Sequence, residues 1–255
     1  MPVPKSHPRY LSLVTRDKIV EGVKKGITSE HGLIAHGRGE AFDYLLGEKT
    51  NNFALDAINA GCALLCSAKH PVISVNGNTA ALIPDEIVKL AKIIPAKIEV
   101  NIFHESSKRE KKIREHLIKH GADEVLLPVK DEKFALKYIE HNRRFVNPEG
   151  IFKADAVFVP LEDGDRTEAL IKSGKKVVAV DLNPMSRTAK AATITIVDNV
   201  IRAVPKMIEE LHKIKLLKKT ELICIINRYA NQKALDSSLG TLSKISVSSN
   251  SKGKL

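Results

Sequence analysis

Two short β-branched runs, residues 177–180 and 193–197, each break off at a polar cluster: Asp181, Leu182 and Asn183 after the first, Asp198 and Asn199 after the second. Apolar runs of this length, stopped by turn-forming residues, predict strands. They close a longer series. Strands are predicted over residues 72–75, 98–103, 124–128 and 156–161, and helices over 84–93, 108–120, 132–140, 166–173 and 200–217. Strands alternating with helices at this spacing imply a parallel sheet covered on both faces. Ligands of such sheets bind at the carboxyl ends of the strands, where the polar clusters stand.

Ahead of this series, residues 1–68 read as a helical amino-terminal lobe. A helix over 12–25 ends near Gly26, another begins near Thr28 or Ser29 and is interrupted by His36-Gly37-Arg38-Gly39, and a third, 54–66, is apolar on most faces. The fold class is therefore α/β, with the core over 69–228. Residues 221–227 are expected to form one more strand. Residues 229–255, rich in Ser, Lys, Asn and Gly, are expected to be a flexible basic tail that turnover does not need.

The formal charge is +11, but nine Lys or Arg face only two acids from Lys213 to the end, so most of the excess belongs to this carboxyl-terminal stretch. Aromatic residues make up 4% with no Trp, which leaves little to stack on bases, and no nucleic-acid-binding signature is visible. No partner nucleic acid is expected. No apolar run approaches the roughly 20 residues that span a bilayer, and the first eight residues lack a signal-peptide core, so no membrane contact and a cytoplasmic location are expected. Cys62 and Cys66 share a helix face, yet no further ligands lie near them for zinc. The three cysteines are expected as buried free thiols.

Neither a G-x-x-x-x-G-K run nor a strand leading into G-x-G-x-x-G occurs, so a phosphate site has to be assembled from separated pieces. Asp181 and Asn183 suit a ribose or base edge, Arg187 offers a fork for phosphate and Thr188 a hydroxyl. In His36-Gly37-Arg38-Gly39-Glu40, glycines on both sides of Arg38 could admit an anion to the backbone. Glu162, Asp163 and Asp165 surround a strand-to-helix turn, where they could hold Mg²⁺ or cap the helix. On residue chemistry alone, His7, Arg9, Asn76 and Asn78 are candidates for substrate binding, and His141, Asn142 and Arg143 for catalysis, with His141 a possible proton acceptor. No metal ligand set is assigned.

Several of these segments, in order, resemble the archaeal phosphopantothenate synthetases, the 4-phosphopantoate–β-alanine ligases. They are residues 6–10 (Ser-His-Pro-Arg-Tyr), the block from Gly32 to Glu48, Asn76-Gly77-Asn78, residues 162–167, Asp181-Leu182-Asn183-Pro184 and Ser186-Arg187-Thr188-Ala189. The likeness spans residues 4–226. It implies a Rossmann-like core, a homodimer, and an ATP-dependent ligase of coenzyme A biosynthesis acting on 4-phosphopantoate and β-alanine through an acyl-adenylate, with Mg²⁺ as the accompanying cation. By the same resemblance Arg16, Arg38, Asp181, Leu182, Asn183, Arg187, Thr188, Asn199 and Val200 would contact ATP. The rival reading is a nucleotide-binding regulatory protein whose basic tail contacts nucleic acid, which would hold ATP without turning it over.

Overall fold

Five strands, β1 (Pro71–Val75), β2 (Lys97–Val100), β3 (Ala156–Val159), β4 (Lys176–Val180) and β5 (Ile194–Ile196), form one all-parallel sheet in the order β2-β1-β3-β4-β5. The computed structural model describes residues 3–104, 106–161 and 163–248. Side chains alternate along each strand and feed two apolar layers. Ile73, Val75, Phe158, Val178, Val180, Ile194 and Ile196 face the larger layer, and Val72, Val157, Val159, Val177 and Ala179 the smaller one. Continuous β-branched runs are what a sheet buried on both faces requires.

Helices α3 (Asn52–Ser67), α5 (Pro84–Ile93), α9 (Val200–Ile214) and α10 (Lys219–Arg228) supply the larger layer. α3 lies very close to the sheet, because a Cβ at Gly61 would stand 2.9 Å from Val178 Cγ1. α7 (Gly164–Lys172) brings Leu170 to the smaller layer, beside Leu136, Val146 and Ile151. At the carboxyl end of the sheet, α4 (Gly77–Leu82) carries the two amino-terminal helices α1 (Tyr10–Lys24) and α2 (Glu30–Leu45). α6 (Ser107–Lys119) packs against α4 and α5.

Four expectations are overturned. α2 runs unbroken through Gly37-Arg38-Gly39, so the backbone amides there serve the helix and offer no anion nest. Residues 132–140 form a single 3₁₀ turn, Glu132–Phe134. Tertiary pairing overrides helix propensity there: Leu136 N–H donates to Arg144 C=O at 2.7 Å and its side chain enters the smaller layer. The strand expected at 124–128 amounts to one bridge residue, Leu126, paired with Glu99. The strand expected at 221–227 is part of α10, since Leu222, Ile225, Ile226 and Tyr229 recur at helical spacing and pack into the larger layer.

The tail also differs from expectation. Asn231–Ser248 is a helix, α11, with Leu235 and Ser238 buried against the body of the protein. Its Ser-rich composition hides an apolar stripe of Leu235 and Leu242 one face wide. Residues 249–255 lie outside the described residues. Of the three thiols, Cys62 is buried, Cys66 half-buried and Cys224 exposed on α10.

Glu99 is fully buried on the edge strand β2 and anchors the turn at Pro148–Phe152. Its carboxylate accepts the Asn147 N–H at 2.9 Å and the Ile151 N–H at 2.6 Å. Burial lifts its pKa to about 7, against the pull of those two bonds and of Arg166 and Lys175. A folded-state value above the ordinary 4.5 means that the protonated form favours the fold. That contribution is complete below the unfolded value and is lost as pH rises through 7. The melting temperature of the wild-type chain should therefore fall between about pH 5 and pH 8 more steeply than that of Glu99→Gln, which cannot ionise. Parallel melting curves for the two proteins would contradict this.

Candidate functional site

The loops that follow β1, β3, β4 and β5 open into a cleft of about 740 Å³, and α2 lies across them. Each loop runs straight into a helix. Asn76 Oδ1 caps α4 by accepting the Thr79 N–H at 3.0 Å, and Asn199 Oδ1 caps α9 by accepting the Ile201 N–H at 3.2 Å. Ser186 Oγ caps α8 (Arg187–Ala191) by accepting the Ala189 N–H at 2.9 Å. Asp163 precedes α7. The amino ends of α7 and α9 give the cleft a fixed positive character before any side chain is counted. At Gly164 a Cβ would overlap Arg187 Cβ, so only glycine lets the start of α7 lie this close to α8.

α2 is held over these ends by charge. Asp43, its one buried residue, accepts the Asn199 Nδ2–H at 2.7 Å and bonds of the Arg202 guanidinium, including one from Nη1 at 3.1 Å. Arg202 also donates from Nε at 3.0 Å and Nη2 at 2.6 Å to the fully buried Asp198. Asp198 accepts the Thr50 hydroxyl at 2.6 Å as well. Burial works against the Arg202 charge, but its two carboxylates outweigh this and raise its pKa. About one turn earlier on α2, Glu40 takes two bonds from Arg16 Nε, at 2.8 and 3.1 Å, and one from Ser12, tying α2 to α1.

Of the residues expected at a nucleotide site, Arg38, Asp181, Leu182, Asn183, Arg187, Thr188, Asn199 and Val200 all line the cleft. Arg16 does not line it and reaches it only through Glu40. Asp181 organises its own turn, accepting the Asn183 N–H at 2.9 Å and the Ser186 hydroxyl at 2.5 Å. Burial raises its pKa, with those bonds and the nearby Arg38 opposing. Arg187 points out of the cleft wall and forms a two-bond pair with Glu168, Nε to Oε1 and Nη2 to Oε2, both at 3.0 Å. Glu168 thus occupies the guanidinium fork.

Asn76, Asn78 and Arg143 also line the cleft. Their side chains brace it: Asn76 Nδ2 donates to Leu161 C=O at 2.6 Å across the β1 and β3 ends, and Asn78 Nδ2 donates to Gly32 C=O at 2.9 Å. Arg143 is buried and paired with Asp163 at 2.7 Å. Behind the lining, His141 stacks on Phe103 with centroids 4.1 Å apart, and Asn142 sits in the same short turn. His7 and Arg9 stay outside the cleft at the start of α1, joined by an Arg9 N–H to His7 Nδ1 bond of 3.0 Å. Glu162 lies outside the described residues.

Sequence reading missed His31, His104 and Arg109, which also line the cleft, and named His36, another lining residue, only as part of a Gly-Arg-Gly loop. The rings of His31 and His104 lie 4.6 Å apart. His36 Nε2 is buried with no hydrogen-bond partner among the described residues, and burial lowers its pKa. His36 and Glu40 are one helical turn apart, a spacing that α2 would have revealed had it been read as continuous.

If Arg187 exchanges Glu168 for phosphate, its planar fork matters more than its charge. Arg187→Lys is then expected to weaken ATP binding about tenfold or more by calorimetry, a loss of about 1.4 kcal/mol. Wild-type affinity would leave Arg187 as a partner of Glu168 alone.

The chain matches the phosphopantothenate/pantothenate synthetase family over residues 53–245. A protein of Thermococcus kodakarensis is 52% identical over 233 residues, covering 91% of this chain and 89% of its own. One of Methanosarcina mazei is 50% identical over 240 residues, 94% of each chain. One of Methanospirillum hungatei is 53% identical over 203 residues, 79% of this chain and 81% of its own. All three bear the name 4-phosphopantoate–β-alanine ligase. With the family matched over most of its length and half its residues shared with these relatives, the chain belongs to the phosphopantothenate/pantothenate synthetase family.

Proposed function

We propose that this chain is an ATP-dependent ligase that joins 4-phosphopantoate to β-alanine and releases AMP and diphosphate. The observation that carries the reading is the likeness over most of the chain to relatives of that name, and the character of the cleft supports it. Its volume of about 740 Å³ lies within the roughly 300–1,000 Å³ of ordinary ligand sites. Positive helix ends and Arg38 line it and, in this reading, would face the nucleotide, while Arg143, Arg109 and two histidines of the same lining would face the other reactants. Two anionic reactants must meet there, and fixed positive groups remove the repulsion between them.

A carboxylate oxygen is a poor leaving group in water, so the acid must be activated first. In this reading the phosphopantoate carboxylate attacks the α-phosphorus of ATP, diphosphate departs, and an acyl-adenylate forms. The β-alanine amine, having shed one proton, then attacks the acyl carbon, AMP leaves with the electron pair of the broken C–O bond, and the nitrogen gives up a second proton as the amide forms. Positioning supplies much of the acceleration. The start of α8, with Arg187 and Thr188, would face the phosphates, and Asp181 and Asn183 the ribose or base. His31 and His104 line the end where the amine would arrive, and His141 stands one ring behind them on Phe103.

Mg²⁺ belongs to the same reading and would enter on the triphosphate. Among the described residues no group of three His, Cys, Asp or Glu is placed to hold a metal, and Asp163 is engaged with Arg143. Phosphate oxygens and water would therefore supply most of its ligands. A homodimer is likewise proposed. Ile34 and Tyr44 of α2 are each 74% exposed and Leu45 is 42% exposed, an apolar surface that a second copy would cover. No helix among the described residues is long and apolar enough to cross a membrane.

Incubation with ATP, 4-phosphopantoate and β-alanine should yield one AMP and one diphosphate per amide formed. Carboxylate oxygen labelled with ¹⁸O should appear in AMP. Label in inorganic phosphate would replace the adenylate by an acyl-phosphate, and ATP binding without turnover would favour a regulatory binder.

A further inference from the structure

The segment beyond α10, which composition marks as an expendable tail, grips the part of the sheet edge that carries α8. β5 is an edge strand, and its Thr195 N–H and C=O point away from β4. Asn231 Oδ1 accepts that N–H at 2.7 Å, and the Tyr229 hydroxyl lies 3.2 Å from the Thr195 carbonyl and 3.1 Å from Asn231 Oδ1. Burial raises the Tyr229 pKa and keeps the phenol a donor. The amide group of Asn231 faces the other way. Its Nδ2 donates to Ala189 C=O at 3.0 Å and to Ala192 C=O at 3.3 Å, two carbonyls at the end of α8. A helix of five residues leaves its last carbonyls without helical partners, so Asn231 caps α8 from 39 residues away in sequence.

Apolar contacts follow the same route. Leu235 is buried with Ala189 of α8, Val197 beyond β5 and Leu46 after α2, and Leu182 and Leu242 pack on this cluster. One side of Leu182 therefore lines the cleft while the residue packs on the cluster to which Leu235 belongs. α8, which bears Arg187 and Thr188, thus has both α11 and Asn231 behind it.

We propose that Asn231 is a positioning residue for the nucleotide end of the cleft, and that the carboxyl-terminal helix is part of the site's scaffold. Asn231 reaches no lining position itself and acts through the carbonyls of α8 and the Thr195 amide. The inference rests on the reading that ATP binds against α8. It also reverses the expectation that the chain can end after Arg228, since that cut removes Tyr229, Asn231 and Leu235 together.

Two substitutions separate positioning from general stability. Asn231→Asp keeps an oxygen for the Thr195 N–H but loses the NH₂ directed at Ala189 and Ala192, and Asn231→Ala loses both. Steady-state kinetics well below the melting temperature should show the KM for ATP raised about tenfold in Asn231→Asp and at least as much in Asn231→Ala. The KM values for the other two substrates should stay within about twofold. Gln232→Ala, whose side chain bonds only Asp236 on its own helix, should match wild type. An unchanged KM for ATP in either folded Asn231 variant, even with a lowered melting temperature, would overturn the proposal. Hydrogen exchange on the unaltered protein gives a reading that needs no variant: saturating ATP should slow exchange at the Thr195 amide. Unaltered exchange there in a chain that demonstrably binds ATP also overturns it. Failure of the wild-type chain to bind ATP would instead remove the functional reading beneath it.

Discussion

Arg202 lies between Asp43 of α2 and Asp198 at the end of β5, and the cleft exists because these three charges meet. α2 buries little: fifteen of its sixteen residues are at least partly exposed and only Asp43 is buried, so its ties are chiefly polar, the Arg202 pair, the Glu40 bonds to α1 and the Asn78 bond to Gly32 C=O. A helix that buries so little apolar surface cannot be held by the hydrophobic effect. The ion pairs need not add much net stability over an apolar contact of the same size, because removing three charges from water is expensive. What they add is position. Stripping one partner would strand a buried charge, at about 3–5 kcal/mol, so the arrangement tolerates no slack.

That position decides the chemistry available. α2 carries His36, Arg38 and Glu40 over the strand ends, and the loops below supply Asp181, Asn183, Thr188 and Asn199. Most of the polar groups on the strand-end loops are already used: Asn76, Asn78, Asp181 and Asn199 each hold another element in place. Such a site is rigid before the substrates arrive, which is what electrostatic catalysis requires. Arg187 is the exception. Paired with Glu168 at the rim, it is a cation that can change partners at little cost, since exposed pairs contribute only about 0–1 kcal/mol.

Much of the sheet was legible in the sequence because a doubly buried strand writes itself as an unbroken β-branched run. The clusters at Asp181 and Asn199 could be placed at strand ends for the same reason. Local patterns failed where distant contacts decide the outcome. Residues 132–140 have helical propensity but pair with Phe145 and bury Leu136 instead. Residues 221–227 are β-branched, yet the partner they meet is α3, which favours a helix. Glycines at 37 and 39 suggest a break, yet α2 runs straight through them. No local signal links Asp43 to Arg202, 159 residues apart, or Asn231 to Ala189. His31 and His104 were equally hidden, because only the packing of α2 over the loop after β2 brings them together.

If ATP binds in this cleft as proposed, the Arg202 clamp sets its site by fixing α2 over the strand ends. The direct measurement is the affinity for ATP, by titration calorimetry, of Arg202→Lys, which keeps a positive charge but cannot fork between two carboxylates. In protein shown to be folded by circular dichroism, the account predicts Kd raised about tenfold or more, with Arg38 and the rest of α2 no longer registered on the strand ends. Folded Arg202→Lys that binds ATP as tightly as wild type would show that α2 is placed by something else.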